Sequence, residues 1–238
     1  MKVLALDTAS DTLSIAVVEN KNVLGSVLLN GQKNHSVTLL PAIENLLASL
    51  KLTPKELDRI VVSQGPGSYT GLRIGVTLAK TLAWTLKKEL VGVSSLKSIA
   101  ASYKDDNVLI APIIDARRQN VYTGLYRWSG DELLQVAPDR HVALTTWLKE
   151  LKVKDTAVVF VGETTKFAAE ILAADFFVNR FPQLDQPDMV SMAMMEQASQ
   201  PVTDLLNFVP EYLKLVEAEE KWQLTHPGVQ NETYVEKI

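Results

Sequence analysis

Val3-Leu4-Ala5-Leu6-Asp7-Thr8-Ala9-Ser10-Asp11, near one end of the chain, and Val108-Leu109-Ile110-Ala111-Pro112-Ile113-Ile114-Asp115-Ala116-Arg117-Arg118, near its middle, decide the fold between them. Each opens as a continuous apolar run, the pattern of a strand buried on both faces. Each run ends at an aspartate followed by turn residues. Six residues after each aspartate a second apolar segment starts, at Leu13 in one copy and Val121 in the other.

Working outward from the first copy, residues 3–6, 13–18 and 23–29 read as three strands joined by two hairpins, an antiparallel meander. A helix over 36–50 follows, because Leu39, Leu40, Ile43, Leu46, Leu47 and Leu50 recur at spacings of three and four. Pro41 is expected to tilt or restart that helix. Thr53-Pro54-Lys55-Glu56 reads as a helix cap with proline in the first turn. Residues 59–63 form a strand that runs into Gln64-Gly65-Pro66-Gly67-Ser68-Tyr69-Thr70-Gly71. A long helix over 69–88, a strand over 90–93 and a short helix over 95–102 complete the order β-β-β-α-β-α-β-α.

The second copy repeats this start at an offset of about 100–108 residues, which is a duplication at domain scale rather than a solenoid period. Residues 157–161 followed by Gly162 parallel 60–64 followed by Gly65. The helices near 165–174 and 188–199 are shorter, and no Gly-Pro-Gly loop follows the fourth strand. Two β-β-β-α-β-α copies make a duplicated ribonuclease-H-like fold of the actin-like ATPase (ASKHA) kind, an α/β class with mixed sheets flanked by helices. A mixed α/β domain with an antiparallel edge is the plainer alternative. The expected units are 1–106, 107–215 and a peripheral helix or loose tail over 216–238.

Composition removes several chemistries. The 238 residues include no cysteine, which excludes disulfides, thiolate metal sites and a cysteine nucleophile. Three histidines, His35, His141 and His226, are isolated from one another, and no metal site is expected. Lys+Arg of 24 against Asp+Glu of 28 gives a net charge of −4, which argues against nucleic-acid binding through a broad basic face. The opening apolar run is too short for a signal-peptide core, and no stretch has the apolar length of a membrane span, so a soluble cytoplasmic protein without membrane contact is the expectation.

Two places have the residue types for chemistry. Asp7 and Asp115 stand where a buried strand opens into a hairpin, the position from which an aspartate orients magnesium-bound water beside a phosphate-binding turn. Such turns need glycine for close backbone approach, and neither hairpin has one; both aspartates read equally as capped turn residues. Gly65 to Gly71 joins a strand to a helix N-terminus, where anions bind. It lacks the Lys-[Ser/Thr] end of a P-loop, and Ser68 or Thr70 reads as the helix cap. Asp7, Gly65, Gly67 and Ser68 are thus weak candidates for phosphate or nucleotide contact. Arg117-Arg118 reads either as a phosphate or RNA contact or as a solvated hairpin. No Gly-x-Ser-x-Gly elbow occurs.

The helix after the glycine loop carries more information. Gly71, Gly75 and Ala79 form a narrow stripe at i, i+4 and i+8, flanked by Leu72, Val76, Leu78, Leu82, Ala83 and Leu86. The apolar arc spans more than half the circumference, wider than one sheet face requires. A small-residue stripe lets another backbone come close. Together with the leucine-rich first helix, it marks a partner surface formed by Leu39, Leu40, Ile43, Leu47, Gly71, Leu72, Gly75, Val76, Ala79 and Ala83. The alternative is that the two helices pack only on each other and on the second domain.

Several of these segments recur as a set. Leu6-Asp7-Thr8-Ala9, His35-Ser36-x-x-Leu39-Leu40-Pro41, the run Gly65-Pro66-Gly67-Ser68-Tyr69-Thr70-Gly71-Leu72-Arg73-Ile74-Gly75, Asp115-Ala116-Arg117-Arg118 and Pro210-x-Tyr212-Leu213-Lys214 stand in one order over residues 3–215. Taken together they resemble the bacterial TsaB (YeaZ) family, the Gly65 to Gly75 run being the specific part. Lys214 departs from the arginine usual there. The resemblance implies a non-catalytic subunit of the machinery that transfers threonylcarbamoyl to N6 of adenosine 37 in tRNA. It implies a related transferase partner, TsaD, and a small ATPase, TsaE. It also implies indirect contact with tRNA, a homodimer when the chain is alone, and dimerisation through the first-domain helices, here about residues 39–47 and 72–83. No cofactor is implied on this chain; ATP or ADP and magnesium are implied on the partner subunits. The catalytic sibling's metal-binding His-x-x-x-His is represented here by His35 and Leu39. An actin-like ATPase or small-molecule kinase using Asp7 and the Gly65 to Gly71 loop is the alternative function.

Overall fold

The computed structural model describes residues 1–31, 34–154 and 156–214. The first half builds β1 (Lys2–Asp7), β2 (Leu13–Glu19), β3 (Asn22–Leu29), α1 (His35–Ser49), β4 (Arg59–Gly65), α2 (Tyr69–Leu86), β5 (Glu89–Ser94) and α3 (Ser95–Ala101). The second half builds β6 (Leu109–Asp115), β7 (Asn120–Ser129), β8 (Glu132–Ala143), α4 (Leu144–Leu151), β9 (Val158–Gly162), α5 (Ala168–Ala173), β10 (Phe177–Val178) and α6 (Met189–Met195). The element order read from the first half is the observed one, and the second half repeats it with a two-residue fifth strand. The tail expected beyond residue 216 lies outside the described residues.

The two sheets have the same topology. One runs β3-β2-β1-β4-β5 and the other, in matching direction, β8-β7-β6-β9-β10. In each, the first three strands pair antiparallel and the last two add in parallel. This is the plan of the duplicated, actin-like α/β fold.

Side-chain alternation along the central strands produces three cores. Leu4 and Leu6 of β1, with Ile60 and Val62 of β4, face α1 and α2. Leu109, Ala111 and Ile113 of β6, with Val158 and Phe160 of β9, face α4 and α5. The intervening residues Val3, Ala5 and Val61 of one sheet and Ile110, Val159 and Val161 of the other meet in a third core between the sheets. A strand covered on both faces needs apolar residues at every position, which is why β1 and β6 are unbroken apolar runs.

The middle core is filled by an exchange. α3 lies between the sheets, packing on β4 and β5 of the first and on β6 to β9 of the second, while α6 packs on β1 and β2 of the first. Ala100 and Ala101 on α3 and Ala193 on α6, all buried, let the helices sit close between the sheets. Polar bonds cross at the same place. Arg59, only 5% exposed, donates to the carbonyls of Glu196, Gln197 and Ser199 at 2.5, 3.1 and 2.9 Å and pairs with Glu89 at 2.7 Å. Lys97 of α3 pairs with Glu196 at 2.7 Å.

Pro41 does not restart α1, which runs unbroken from His35 to Ser49. The proline lies on the exposed side, as does Val37, whose carbonyl loses its partner at position 41. Residues 54–56 form one turn of 3-10 helix, capped reciprocally by Thr53 and Glu56 as expected.

After α6 the chain returns to the first sheet. Val202 donates its N–H to the Leu90 carbonyl at the β5 edge, Glu211 to that of Gln64, and Lys80 on α2 holds the carbonyls of Leu206 and Phe208. Val202, Leu205 and Phe208 pack into the first core. The segment covers an edge strand whose backbone would otherwise stay unpaired.

Arg59→Met should therefore lower the free energy of unfolding by about 3 kcal/mol, because three carbonyls and Glu89 lose a buried donor. Urea denaturation followed by circular dichroism measures it, and a loss below about 1 kcal/mol would contradict the clamp.

Candidate functional site: the glycine-loop helix, its outer face and the cleft between the sheets

The glycine loop is shaped by backbone meeting backbone. A Cβ on Gly67 would lie 2.4 Å from the Ala9 carbonyl oxygen, and one on Gly65 would lie 2.1 Å from that of Glu211. Ser68 donates its N–H to Ala9 at 2.7 Å and caps α2 by accepting from Gly71. The Gly65–Pro66 peptide is cis.

The small-residue stripe points inward, which corrects the expectation that it faces a partner. A Cβ on Gly71 would lie 2.0 Å from the Thr8 carbonyl oxygen, and one on Gly75 would lie 2.4 Å from Thr8 Oγ1. Thr8 Oγ1 donates to the Gly71 carbonyl at 2.8 Å. The stripe is thus the seat of the β1–β2 hairpin. Leu39, Ile43, Leu47, Leu72, Val76, Ala79 and Ala83 are likewise buried within the chain. The wide apolar arc of α2 has a local explanation: the sheet lies beneath it, α1 on one side, and the returning segment on the other. Of the ten residues expected at an interface, Leu40 alone is exposed, at 50%.

Beside Leu40 the outer face of α1 exposes Val37, Pro41, Glu44 and Ala48. A cavity of about 370 Å³ opens there toward α2, floored by Ile43, Leu47 and Leu57 and walled by Leu40, Leu52 and Leu82. Two residues buried in the chain, Ile43 and Leu47, are thus reachable through this cleft.

Asp7 is sealed, at 1% exposure. One carboxylate oxygen accepts from Ala9 N–H at 2.9 Å and the other from the Ser98 hydroxyl of α3 at 3.3 Å. Burial raises its pKa, with the bonds from Ser63, Ala9 and Ser98 pulling it partly back. His35 is also buried, and its Nε2 donates to the Ser10 carbonyl at 2.8 Å. Both side chains hold the hairpin.

The space between the halves is a cleft of about 530 Å³. Gly67 and Ser68 line it, whereas Asp7 and Gly65 do not. Asp115 is at its edge, accepting from Arg117 N–H and pairing with Lys166 at 2.8 Å. Glu163 accepts from Asp115 N–H, and burial, followed by the charges of Asp115 and Asp11, raises its pKa. Arg117, Arg118 and Gln119 each have positive φ, closing a tight hairpin that Asn120 braces. With Asp11, Asp115 and Glu163 facing Arg117 and Lys214, a polyphosphate would meet carboxylates here. Among the described residues no cluster of histidines and carboxylates is suited to a metal ion.

Sequence reasoning missed one polar cluster. Asp139 on β8 accepts from Tyr126 at 2.5 Å, from Gln135, and from Ser94 at the end of β5. Burial raises both the Asp139 and Tyr126 pKa values. The pairing of β7 with β8 and the approach of the end of β5 from the first sheet bring these residues together, so no spacing rule marks them.

A model of the family described as TsaD, tRNA N6-adenosine threonylcarbamoyltransferase, matches residues 22–222. A Bacillus subtilis relative, "tRNA threonylcarbamoyladenosine biosynthesis protein TsaB", is 43% identical over 226 residues, 93% of this chain and 98% of its own. The chain belongs to the TsaB family. An Escherichia coli TsaB is 31% identical over 56% of this chain and 60% of its own. YeaZ from Pseudomonas aeruginosa has the same fold, with a TM-score of 0.72 at 21% identity, over 89% of this chain and all of that one. In TsaB terms the glycine-loop signature is a packing motif, since its glycines seat Thr8 and Ala9. No helix among the described residues is long and apolar enough to cross a membrane.

Two measurements check these assignments. Gly→Ala inside a helix ordinarily stabilises by about 0.5–1 kcal/mol, but Gly71→Ala should destabilise by about 1–3 kcal/mol through the Thr8 clash; calorimetry reads the sign. For Asp7, a folded-state pKa above the unfolded value means that the native state holds its proton more tightly. Its contribution is therefore present below the ordinary value of 3.8 and lost as pH rises from there through the raised value. Asp7→Asn should gain stability relative to the parent as pH climbs through that window; a difference that stays flat or falls would refute the sealed carboxyl.

Proposed function

We propose that the chain acts in biosynthesis of threonylcarbamoyladenosine in tRNA as a non-catalytic subunit that docks and stabilises the TsaD-type transferase. The family relation supports the pathway. The observation that carries the scaffold role is the outer face of α1: exposed Leu40 borders an apolar cleft of about 370 Å³, with exposed Val37 one turn before it on the same helix, in a chain whose Asp7 and His35 are used internally. An exposed apolar ridge beside a preformed cleft suits a partner's apolar anchors.

Asp7 and His35 support the same reading, since each is buried and bonded to the hairpin. The carboxylates around the cleft between the sheets disfavour ATP, so ATP or ADP and magnesium belong on the partner subunits. A TsaE-type ATPase would act on the assembled pair, and a homodimer through the same face would form when the transferase is absent. With a net charge of −4, the chain would leave most of the phosphate grip on tRNA to its partner. The proposed location is the cytoplasm.

Leu40→Asp combined with Val37→Asp should abolish co-purification with the transferase and reduce the modified nucleoside to background, while leaving the unfolding midpoint nearly unchanged because both residues are exposed. Retention of the complex by the double variant would place the interface elsewhere. Steady ATP hydrolysis by the purified chain, lost on Asp7→Ala, would favour the ATPase reading.

A further inference from the structure

The chain has ten asparagines, and Asn30 is the one followed by glycine. The pair Asn30-Gly31 lies just past the β2–β3 ladder, which ends where Leu13 meets Leu29, and both residues are exposed. Gly31 has a φ of +70°, and among the described residues nothing lies within 4 Å of where its Cβ would be. The main chain at this point carries neither side-chain bulk nor ladder pairing. The Asn30 side chain, by contrast, is held. Its Oδ1 accepts from the hydroxyl of buried Thr12 at 3.0 Å, and the same hydroxyl reaches Oε1 of Gln186, from the second half, at 2.6 Å. A hydrogen bond at that oxygen draws electron density from Cγ and makes it a better electrophile.

We propose that Asn30 is a modification site, at which the chain converts its own asparagine to aspartate and isoaspartate without an enzyme. The Gly31 main-chain nitrogen attacks Asn30 Cγ and bonds to it. The Cγ–Nδ2 bond breaks, and Nδ2 leaves as ammonia with the proton that Gly31 gives up. The product is a five-membered succinimide, which one water opens at either carbonyl. Opening at Cγ yields aspartate, and opening at the main-chain carbonyl yields isoaspartate. Glycine favours ring closure because no Cβ obstructs the approach of its nitrogen. Both products place a negative charge where a neutral amide stood. Isoaspartate also carries the peptide through Cγ. That lengthens the connection from β3 to α1 by one carbon and takes the side-chain acceptor away from Thr12.

The test uses the full, folded chain in mildly alkaline buffer made with heavy-oxygen water. Peptide mapping over weeks, with fragmentation that separates aspartate from isoaspartate, reads each asparagine. Conversion at Asn30 should run about tenfold or more ahead of that at Asn22, Asn107 and Asn120, each followed by a β-branched valine. Each product should gain one heavy oxygen. Gly31→Ala should slow conversion by about tenfold. Because alanine is strained at this positive φ, Asn30→Gln is the second variant; its longer side chain must close a larger ring, and its amide should persist. Conversion at Asn30 no faster than at the three comparison sites would overturn the proposal. Conversion that begins only after urea unfolds the chain would also overturn it, since the folded geometry would then protect the site. An unchanged rate in Gly31→Ala would rule out attack by the Gly31 nitrogen and overturn it as well.

Discussion

The approach of the β1–β2 hairpin to α2 is the constraint on which the first half of the molecule rests. The Thr8 carbonyl lies where a Cβ on Gly71 would be, and the Thr8 hydroxyl bonds back to the Gly71 carbonyl. That contact sets the height of α2 above the sheet, and hence which of its sides meets α1 and which meets the returning segment. It also ties two distant sequence signatures into one object: Leu6-Asp7-Thr8-Ala9 is the knob, and the run from Gly65 to Gly75 is the hole. A helix with two interior glycines carries a propensity penalty of about 1 kcal/mol at each, and the seated hairpin explains why both positions remain glycine.

The same hairpin reaches the second half through Asp7. Its carboxyl meets Ser98 on α3, a helix that belongs to the first half by sequence and packs on both sheets. The reciprocal placement of α6, held by Arg59 and Lys97, makes the middle core a joint product of both halves. The arrangement differs from a hinge in which two lobes move about a polar cleft. Here buried alanines, valines and a largely enclosed guanidinium hold the sheets at a set spacing, which suits a platform more than a clamp.

Most of the fold was legible in the sequence because its signals are local. Apolar runs ending at aspartates, alternation along the strands and the three-and-four spacing of leucines each report a pattern that does not depend on distant residues. Pro41 was over-read, since a proline on a solvent-facing ridge leaves its orphaned carbonyl to water. The direction of the small-residue stripe was misread for a different reason. Periodicity shows that a helix face is narrow and small, but whether that face meets a partner or a hairpin from earlier in the chain depends on tertiary packing. The Asp139–Tyr126–Ser94 cluster was invisible for the same cause, being assembled by the bulged pairing of β7 with β8 and by the end of β5 reaching it from the other sheet. The width of the apolar arc on α2 was real; the returning segment 199–214, which carries no strong periodicity, is what fills it.

The asymmetry between the two copies follows from one local difference. β4 leads into glycines and an 18-residue helix, so the first hairpin is gripped and its aspartate sealed. β9 leads into a single 3-10 turn and a six-residue helix that starts at Ala168. Asp115 stays at the cleft edge with Lys166 for a partner. Duplicated aspartates at equivalent strand ends therefore have opposite environments, one desolvated and the other ion-paired. An ATPase of this architecture needs both hairpins open to the same phosphate chain. Here the helix that seats the first hairpin also lends Leu82 to the wall of the cleft beside α1, so the seating of Thr8 and the shape of that outer cleft are two consequences of the same packing.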